Sequence, residues 1–260
     1  MDMKLDNVKN LYLKGIRDGH ARAAVTEYTG ERYTQHSTGV GDGVEGFVAF
    51  FESFIERCPV RDIEVLRSIV DGQYVFVHVH QNLNHGAAKW VTADLFDTDE
   101  NDKIVEHWDV IQQDEENTAS GRSMVDGATA IEDLDKTVAN KALVTLFCQD
   151  VLVDGKLDTL SRYISEHRYD QHSPFIEDGL ASLYEYLKTN AEQNHPVKYN
   201  KVHRIIGQGN FVVAFSHVLH SGEQWCVFDL FRIKEGKIVE HWDVQEKILP
   251  KQQWGNSGKF

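Results

Sequence analysis

Histidines and acidic residues recur along this chain in matched pairs, and the pairing is its first chemical signal. His36 and His172, His80 and His217, Asp94 and Asp229, His107 and His241, and Asp109 and Asp243 are separated by 134 to 137 residues, and Glu106 and Glu240 recur in the same way. A carboxylate in an apolar cavity keeps its proton more tightly than in water, and an imidazole takes up and releases one near neutral pH. Together they suit general acid–base catalysis, the removal of a proton beside a carbonyl as in enolisation, aldol closure or isomerisation. His, His and Asp are also sensible ligands for zinc or iron, but no ligand pair is repeated: His78-Val79-His80 becomes Phe215-Ser216-His217. The chain has no GxSxG and no GxxxxGK[ST] phosphate-binding loop. The expectation is chemistry without cofactor or metal.

These residues belong to a duplication. Residues 103–110 and 237–244 both read KIVEHWDV; Tyr33-Thr34-Gln35-His36-Ser37 returns as Tyr169-Asp170-Gln171-His172-Ser173; and Ala93-Asp94-Leu95-Phe96 returns as Phe228-Asp229-Leu230-Phe231. Eight consecutive identities that include a tryptophan mark two copies of one domain, 1–113 and 136–250. Residues 114–135, rich in acidic, Gly, Ser and Thr residues, read as an exposed linker with a stretch that can turn or cover a surface, and 251–260 as a loosely held polar tail in which Trp254 can dock.

Each copy reads as helices followed by strands. Leu5, Val8, Leu11, Tyr12 and Ile16 recur at helical spacing, residues 21–28 continue as a second helix, and a third runs from Gly43 to Pro59. Four strands follow at 61–70, 74–82, 89–97 and 103–112; the second copy has helices at 141–153, 156–163 and 179–191 and strands at 198–207, 211–221, 223–234 and 237–247. The fold class is therefore α+β, with helices packed on one face of a strongly curved antiparallel sheet, a cone whose mouth suits a small-molecule pocket. Strand alternation groups His80, Asp94, His107 and Asp109 on one face, with His36 capping them from a loop; His217, Asp229, His241, Asp243 and His172 repeat the set. Glu106 and Trp108 point the other way. Alternation alone leaves open which face is inside, and each residue also has a purely structural use in a strand end, a loop or a buried pair.

Composition narrows the partners. With 27 Lys plus Arg against 41 Asp plus Glu, a formal charge of −14 disfavours nucleic-acid phosphates. No apolar run approaches the roughly 18 residues of a membrane span. Three cysteines without a CxxC, and an N-terminal stretch without a secretory apolar core, suit a reducing cytoplasmic setting.

With YxQHS, a glycine-led amphipathic helix, DLF and GKIVEHWD, the sequence resembles SnoaL-like polyketide cyclase domains of the nuclear transport factor 2-like superfamily, over nearly all of both copies. The first copy departs from the pattern where Thr38 stands for proline and Asp102 for the glycine kept as Gly236. The resemblance implies a cone with a deep apolar pocket, and an aspartate acting as acid–base in an aldol condensation without cofactor. By motif that role falls on Asp109 and Asp243, assisted by His107 and His241 or by Asp94 and Asp229. Two readings follow: an aldol-type cyclase, isomerase or lyase acting on a small, partly apolar carbonyl compound, or a non-catalytic protein that binds a small ligand. Single domains of this kind pair through their sheets, and both faces of the sheet here carry apolar residues, so an intramolecular pseudo-dimer is expected, with further homo-oligomers open. Separately expressed halves should then dimerise or aggregate; monodisperse monomers in light scattering would refute the pairing.

Overall fold

In the computed structural model, which describes residues 2–192 and 197–260, Asp2 accepts a hydrogen bond from Leu5 N and so starts helix α1 (Met3–Asn10). The helix runs on through a widened π-helical stretch, Leu11–Arg17, into α2 (Ala21–Tyr28). The second copy repeats the device with α4 (Thr137–Phe147) and a π-helical stretch at Cys148–Val153. Such widened turns are uncommon and concentrate at functional sites. Helix α3 (Gly43–Arg57) ends before Pro59, whose ring disfavours helical backbone at Cys58. Its counterpart is α6 (Leu180–Ala191), preceded by the short α5 (Leu160–Tyr163).

Each copy builds a five-stranded sheet. The first has β1 (Thr29–Gln35), β2 (Arg61–Asp71), β3 (Tyr74–Leu83), β4 (Ala88–Thr98) and β5 (Ile104–Gln113) in the order β1-β5-β4-β3-β2. The second has β6 (Asp170–Gln171), β7 (Lys198–Gln208), β8 (Phe211–His220), β9 (Glu223–Lys234) and β10 (Lys237–Lys247) in the order β6-β10-β9-β8-β7. The four expected strands are present in both copies, but the sheet is mixed: β1 and β6 add parallel edges to β5 and β10. Their sequences, TGERYTQ and DQ, lack the apolar alternation that marks a strand. They are recruited by backbone pairing with residues some 70 positions away, as Gln35 beside His107 and Gln171 beside His241. Bulges between Val65 and Arg67 and between Asp97 and Thr98 bend the first sheet.

The helices cover one face. Val8, Leu11, Val25, Phe47 and Val48 bury themselves against Val75, Val77, Val79 and Phe96; Val144, Phe147, Val151 and Leu183 do so against Val212, Ala214 and Phe231. Two compact units result, Met1–Gln113 with Leu249–Phe260, and Asp114–Ile248.

The segments read as an exposed linker and a loosely held tail remain largely exposed, but each seats a buried residue and hydrogen-bonds to its unit. In the second unit Met124 is buried, Ser120 Oγ donates to Gln171 O, and Trp242 Nε1 donates to Asp126 O. A Cβ at Gly127, where φ is +93°, would overlap Glu240 and Trp242, so only glycine lets the backbone pass this close. In the first unit Asn256 Nδ2 donates to Ser37 O and Val40 O, and Lys259 is buried. Polar composition misleads here because these segments satisfy their polar groups against backbone left open beside the strands. No helix among the described residues is long and apolar enough to cross a membrane.

Candidate active site

The register of the sheet decides which side chains meet. Asp94 lies opposite Val77, and Asp109 lies directly opposite Asp94. Because side chains alternate along a strand, Asp94, Asp109 and His107 therefore share the face of Val75, Val77 and Val79, which is the helix-covered interior. In the second copy Asp229 lies opposite both Ala214 and Asp243, with the same outcome.

The same register removes two candidates. His80 pairs with Val91 and His217 with Cys226, positions of opposite parity to Asp94 and Asp229, so both point to the other face. His217 Nε2 is engaged there with Gln224 Oε1. The expectation fails because alternation orders residues within a strand, whereas the relation between strands is set by the turn that joins them.

His36 and His172 do not cap the interior either. They follow Gln35 and Gln171, which face inward, so they face outward. His36 Nε2 lies 2.9 Å from Glu106 Oε1 and its ring stacks on Trp108 at 4.9 Å. His172 lies 3.0 Å from Glu240 Oε1 and stacks on Trp242 at 4.7 Å. The EHWD motif is thus two interleaved sets, Glu and Trp fixing the outer histidine, His and Asp serving the interior.

On the inner face a hydrogen-bonded chain is built identically twice. Gln35 Nε2 donates to Tyr33 Oη at 2.8 Å, which turns Gln35 Oε1 towards His107 Nδ1 at 2.9 Å. His107 Nε2 lies 2.9 Å from Asp94 Oδ1. The second copy repeats this with Gln171 Nε2 to Tyr169 Oη at 3.2 Å, Gln171 Oε1 to His241 Nδ1 at 2.9 Å, and His241 Nε2 to Asp229 Oδ1 at 3.1 Å. A carbonyl oxygen only accepts, so the network assigns a proton to Nδ1. A hydrogen bond at Nε2 then requires one further proton shared between the imidazole and the aspartate. The glutamines are held from outside: Asp42 Oδ1 accepts from Gln35 N at 2.7 Å, and Asp178 Oδ1 from Gln171 N at 2.8 Å.

The first and second sites diverge around this chain. Asp94 also accepts from Tyr12 Oη at 2.8 Å and Thr92 Oγ1 at 2.8 Å. Tyr12 and Thr92 become Cys148 and Val227 in the second copy, where Tyr199, standing at the place of Ile63, donates to Asp229 Oδ2 at 3.1 Å instead. The phenol is kept, but it comes from a strand rather than a helix. No fixed sequence offset could reveal that exchange. Burial holds the Asp94 carboxyl above the usual range, although His107 opposes the shift.

The second carboxylates differ most. Burial alone would raise Asp109, but the Lys259 ammonium, 2.9 Å from its Oδ1, and then His107 bring it below the ordinary value. Asp243 is pushed up to about 6 by burial, with Asp229 adding to the rise and His241 opposing it. Ser173 Oγ donates to its Oδ2 at 3.1 Å, while its buried Oδ1 meets no donor among the described residues.

Above the first floor lies a cavity of about 250 Å³, walled by Phe47, Phe50, Phe51 and Phe54 of α3, by Leu11 and Ile16, and by Trp90. The second, bounded by Leu183, Tyr186, Tyr199 and Trp225 over Asp229, His241 and Asp243, is about 70 Å³. The copy with the more complete motif thus has the smaller space. Among the described residues no three His, Cys, Asp or Glu side chains are grouped to hold a metal ion. Sequence reasoning missed Gln35 and Gln171, although both stand in the repeated YxQHS; it also missed Tyr12, Tyr199 and Lys259, which no repeat marks.

Residues 12–107 match the family model of the SnoaL-like domain. Solved structures with a similar fold include a candidate ketosteroid isomerase from Kribbella flavida (14% identity, 44% of this chain and 83% of that one, TM-score 0.39). A candidate polyketide cyclase from Bacillus cereus is similar at 17% identity over 42% of this chain and 74% of that one, TM-score 0.38. An LEH-like epoxide hydrolase of M. tuberculosis is similar at 19% identity over 43% and 85%, TM-score 0.36. No curated protein matches the chain.

Proposed function

We propose, for a chain whose residues 12–107 match the SnoaL-like domain and whose second sheet repeats the strand order of the first, that it is a cofactor-independent acid–base enzyme for a small, partly apolar carbonyl compound, working as an aldol-type cyclase, isomerase or lyase. The observation that carries this reading is a carboxylate placed directly across the strand from a Gln–His–Asp chain, at the floor of an apolar cavity, in both copies. The first pocket has the room. Its volume of about 250 Å³ lies just under the roughly 300 Å³ where drug-sized sites begin, which suits a small substrate. Asp109 takes the proton from the carbon beside the carbonyl. The proton shared by His107 and Asp94 passes to the developing enolate oxygen. Asp109 then delivers its proton to the new carbon in an isomerisation, or to the oxygen of the attacked carbonyl in an aldol closure, and the enol proton returns to the His107–Asp94 pair as the carbonyl re-forms. The aromatic walls exclude water and orient the apolar part of the molecule.

A second reading, a non-catalytic ligand-binding protein, is favoured by one observation: both nitrogens of His107 and both oxygens of Asp94 already have partners within the protein. Incubating the full chain in D2O with small aromatic ketones and 1,3-diketones separates the two. The enzyme reading expects protein-dependent loss of the α-C–H signal in NMR; compounds that bind with no exchange above buffer would favour the binding protein.

A further inference from the structure

The two non-repeated segments that cover the sheets occupy equivalent places. Gly255 N donates to Thr38 O at 2.8 Å in the first unit, and Ala119 N donates to Pro174 O at 2.9 Å in the second, Thr38 and Pro174 being matched positions of the repeat. Gly258 O then meets His36 Nδ1 at 2.5 Å, and Ser123 O meets His172 Nδ1 at 2.7 Å. The next residue in each case is buried: Lys259, 2% exposed, and Met124, 1% exposed. Lys259 Nζ donates to both the main-chain oxygen and Oδ1 of Asp109, each at 2.9 Å. A methionine at the matched place offers no charge. A buried lysine is costly unless paired, and this one is aimed at a pocket carboxylate rather than at solvent.

We propose that Lys259 is a positioning residue of the first pocket, holding Asp109 as a permanently charged carboxylate, while Met124 at the matched place leaves Asp243 free to take up and release a proton. The covering segments thereby set the second carboxylates of the two copies apart, the first for base chemistry over the whole working range, the second for acid or base according to pH. This rests on the acid–base reading for its functional meaning, but not for its test. Around Asp109 the other groups are Asp94 and His107 from the sheet, Ser37 from the loop after β1, Tyr33 from β1 and Tyr12 from the helix. Around Asp243 they are Asp229 and His241, Ser173, Tyr169, Tyr199 from β7 and Tyr186 from α6. Both sets contain an aspartate, a histidine, a serine and tyrosines; the lysine is the difference of charge.

The test is a carbon-detected NMR titration of aspartate side chains in the full chain, with Asp109 and Asp243 assigned from their Asn variants. Lys259→Met imports the residue the second unit already accommodates, and it should move the Asp109 midpoint up by about one pH unit or more. Lys259→Arg should restore a low midpoint. Reciprocally, Met124→Lys should move the Asp243 midpoint down from about 6 by a similar amount. Midpoints unmoved in folded Lys259→Met, or in folded Met124→Lys should the former not fold, would overturn the proposal. No substrate enters the titration, so its failure is distinct from a failure to find proton exchange on ketones.

Discussion

Asp243→Asn should stabilise the protein above pH 6 while removing any turnover in the second pocket. Burial raises Asp243 to about 6 from an ordinary 3.8. Between those values the folded chain binds a proton that the unfolded chain has released, so stability falls as pH rises through this window and stays low above it. The full shift corresponds to about 3 kcal/mol, and about 2 is expected because the residue is only half-buried and solvent screens part of the charge. Asparagine keeps the shape and the Ser173 hydrogen bond without the charge. Urea denaturation should show wild type and variant alike near pH 4 and the variant more stable by about 2 kcal/mol near pH 8. A variant less stable at pH 8 would mean that the carboxylate is held for structure rather than chemistry.

Three residues earlier on the same strand, Glu240→Ala should do the opposite and cost about 3–5 kcal/mol at neutral pH. Glu240 is buried on the outer face between His172, at 3.0 Å, and Arg232, at 2.5 Å. Burial opposes its charge, but hydrogen bonds from His172 and Arg232 outweigh it and hold the carboxyl down at about 2. Here the folded-state value lies below the unfolded one, so the stability it contributes is present above about 4.5 and lost as pH falls towards 2. Removing the side chain strands Arg232 and His172, the latter stacked on Trp242. Denaturation at pH 7 should show the loss, shrinking as the pH is lowered towards 3. A change of less than about 1 kcal/mol at pH 7 would show that the outer cluster is only a surface pair. The two carboxylates of one EHWD motif are thus told apart by the sign of their effect.

Much of this was legible in the residues. The duplication, the α+β order and eight of the ten strands among the described residues follow from repeat spacing and alternation, because those strands have apolar inner faces. The edge strands β1 and β6 were not legible, since Tyr33, Gln35 and Gln171 are placed by pairing with distant strands. The interior trio of each copy was found by type and parity, but His80 and His217 were wrongly grouped with it because parity does not carry across a turn. Reading β1 as a loop also hid that Gln35 faces in and His36 out. Lys259 carries no repeat signal at all, its counterpart being Met124. It becomes visible only where a polar segment, read as loose, is seen packed against the sheet.

The central claim, that the paired carboxylates move protons on a bound carbonyl compound, is tested most directly by α-proton exchange in D2O with and without them. The comparison is between the full wild-type chain and one carrying Asp109→Asn, Lys259→Met and Asp243→Asn, the lysine being replaced so that no buried ammonium is stranded. With a ketone shown by NMR to bind both proteins, the wild type should exchange the α-protons faster than buffer and the variant should be slower by about 100-fold or more. Equal exchange in the two proteins would contradict the account.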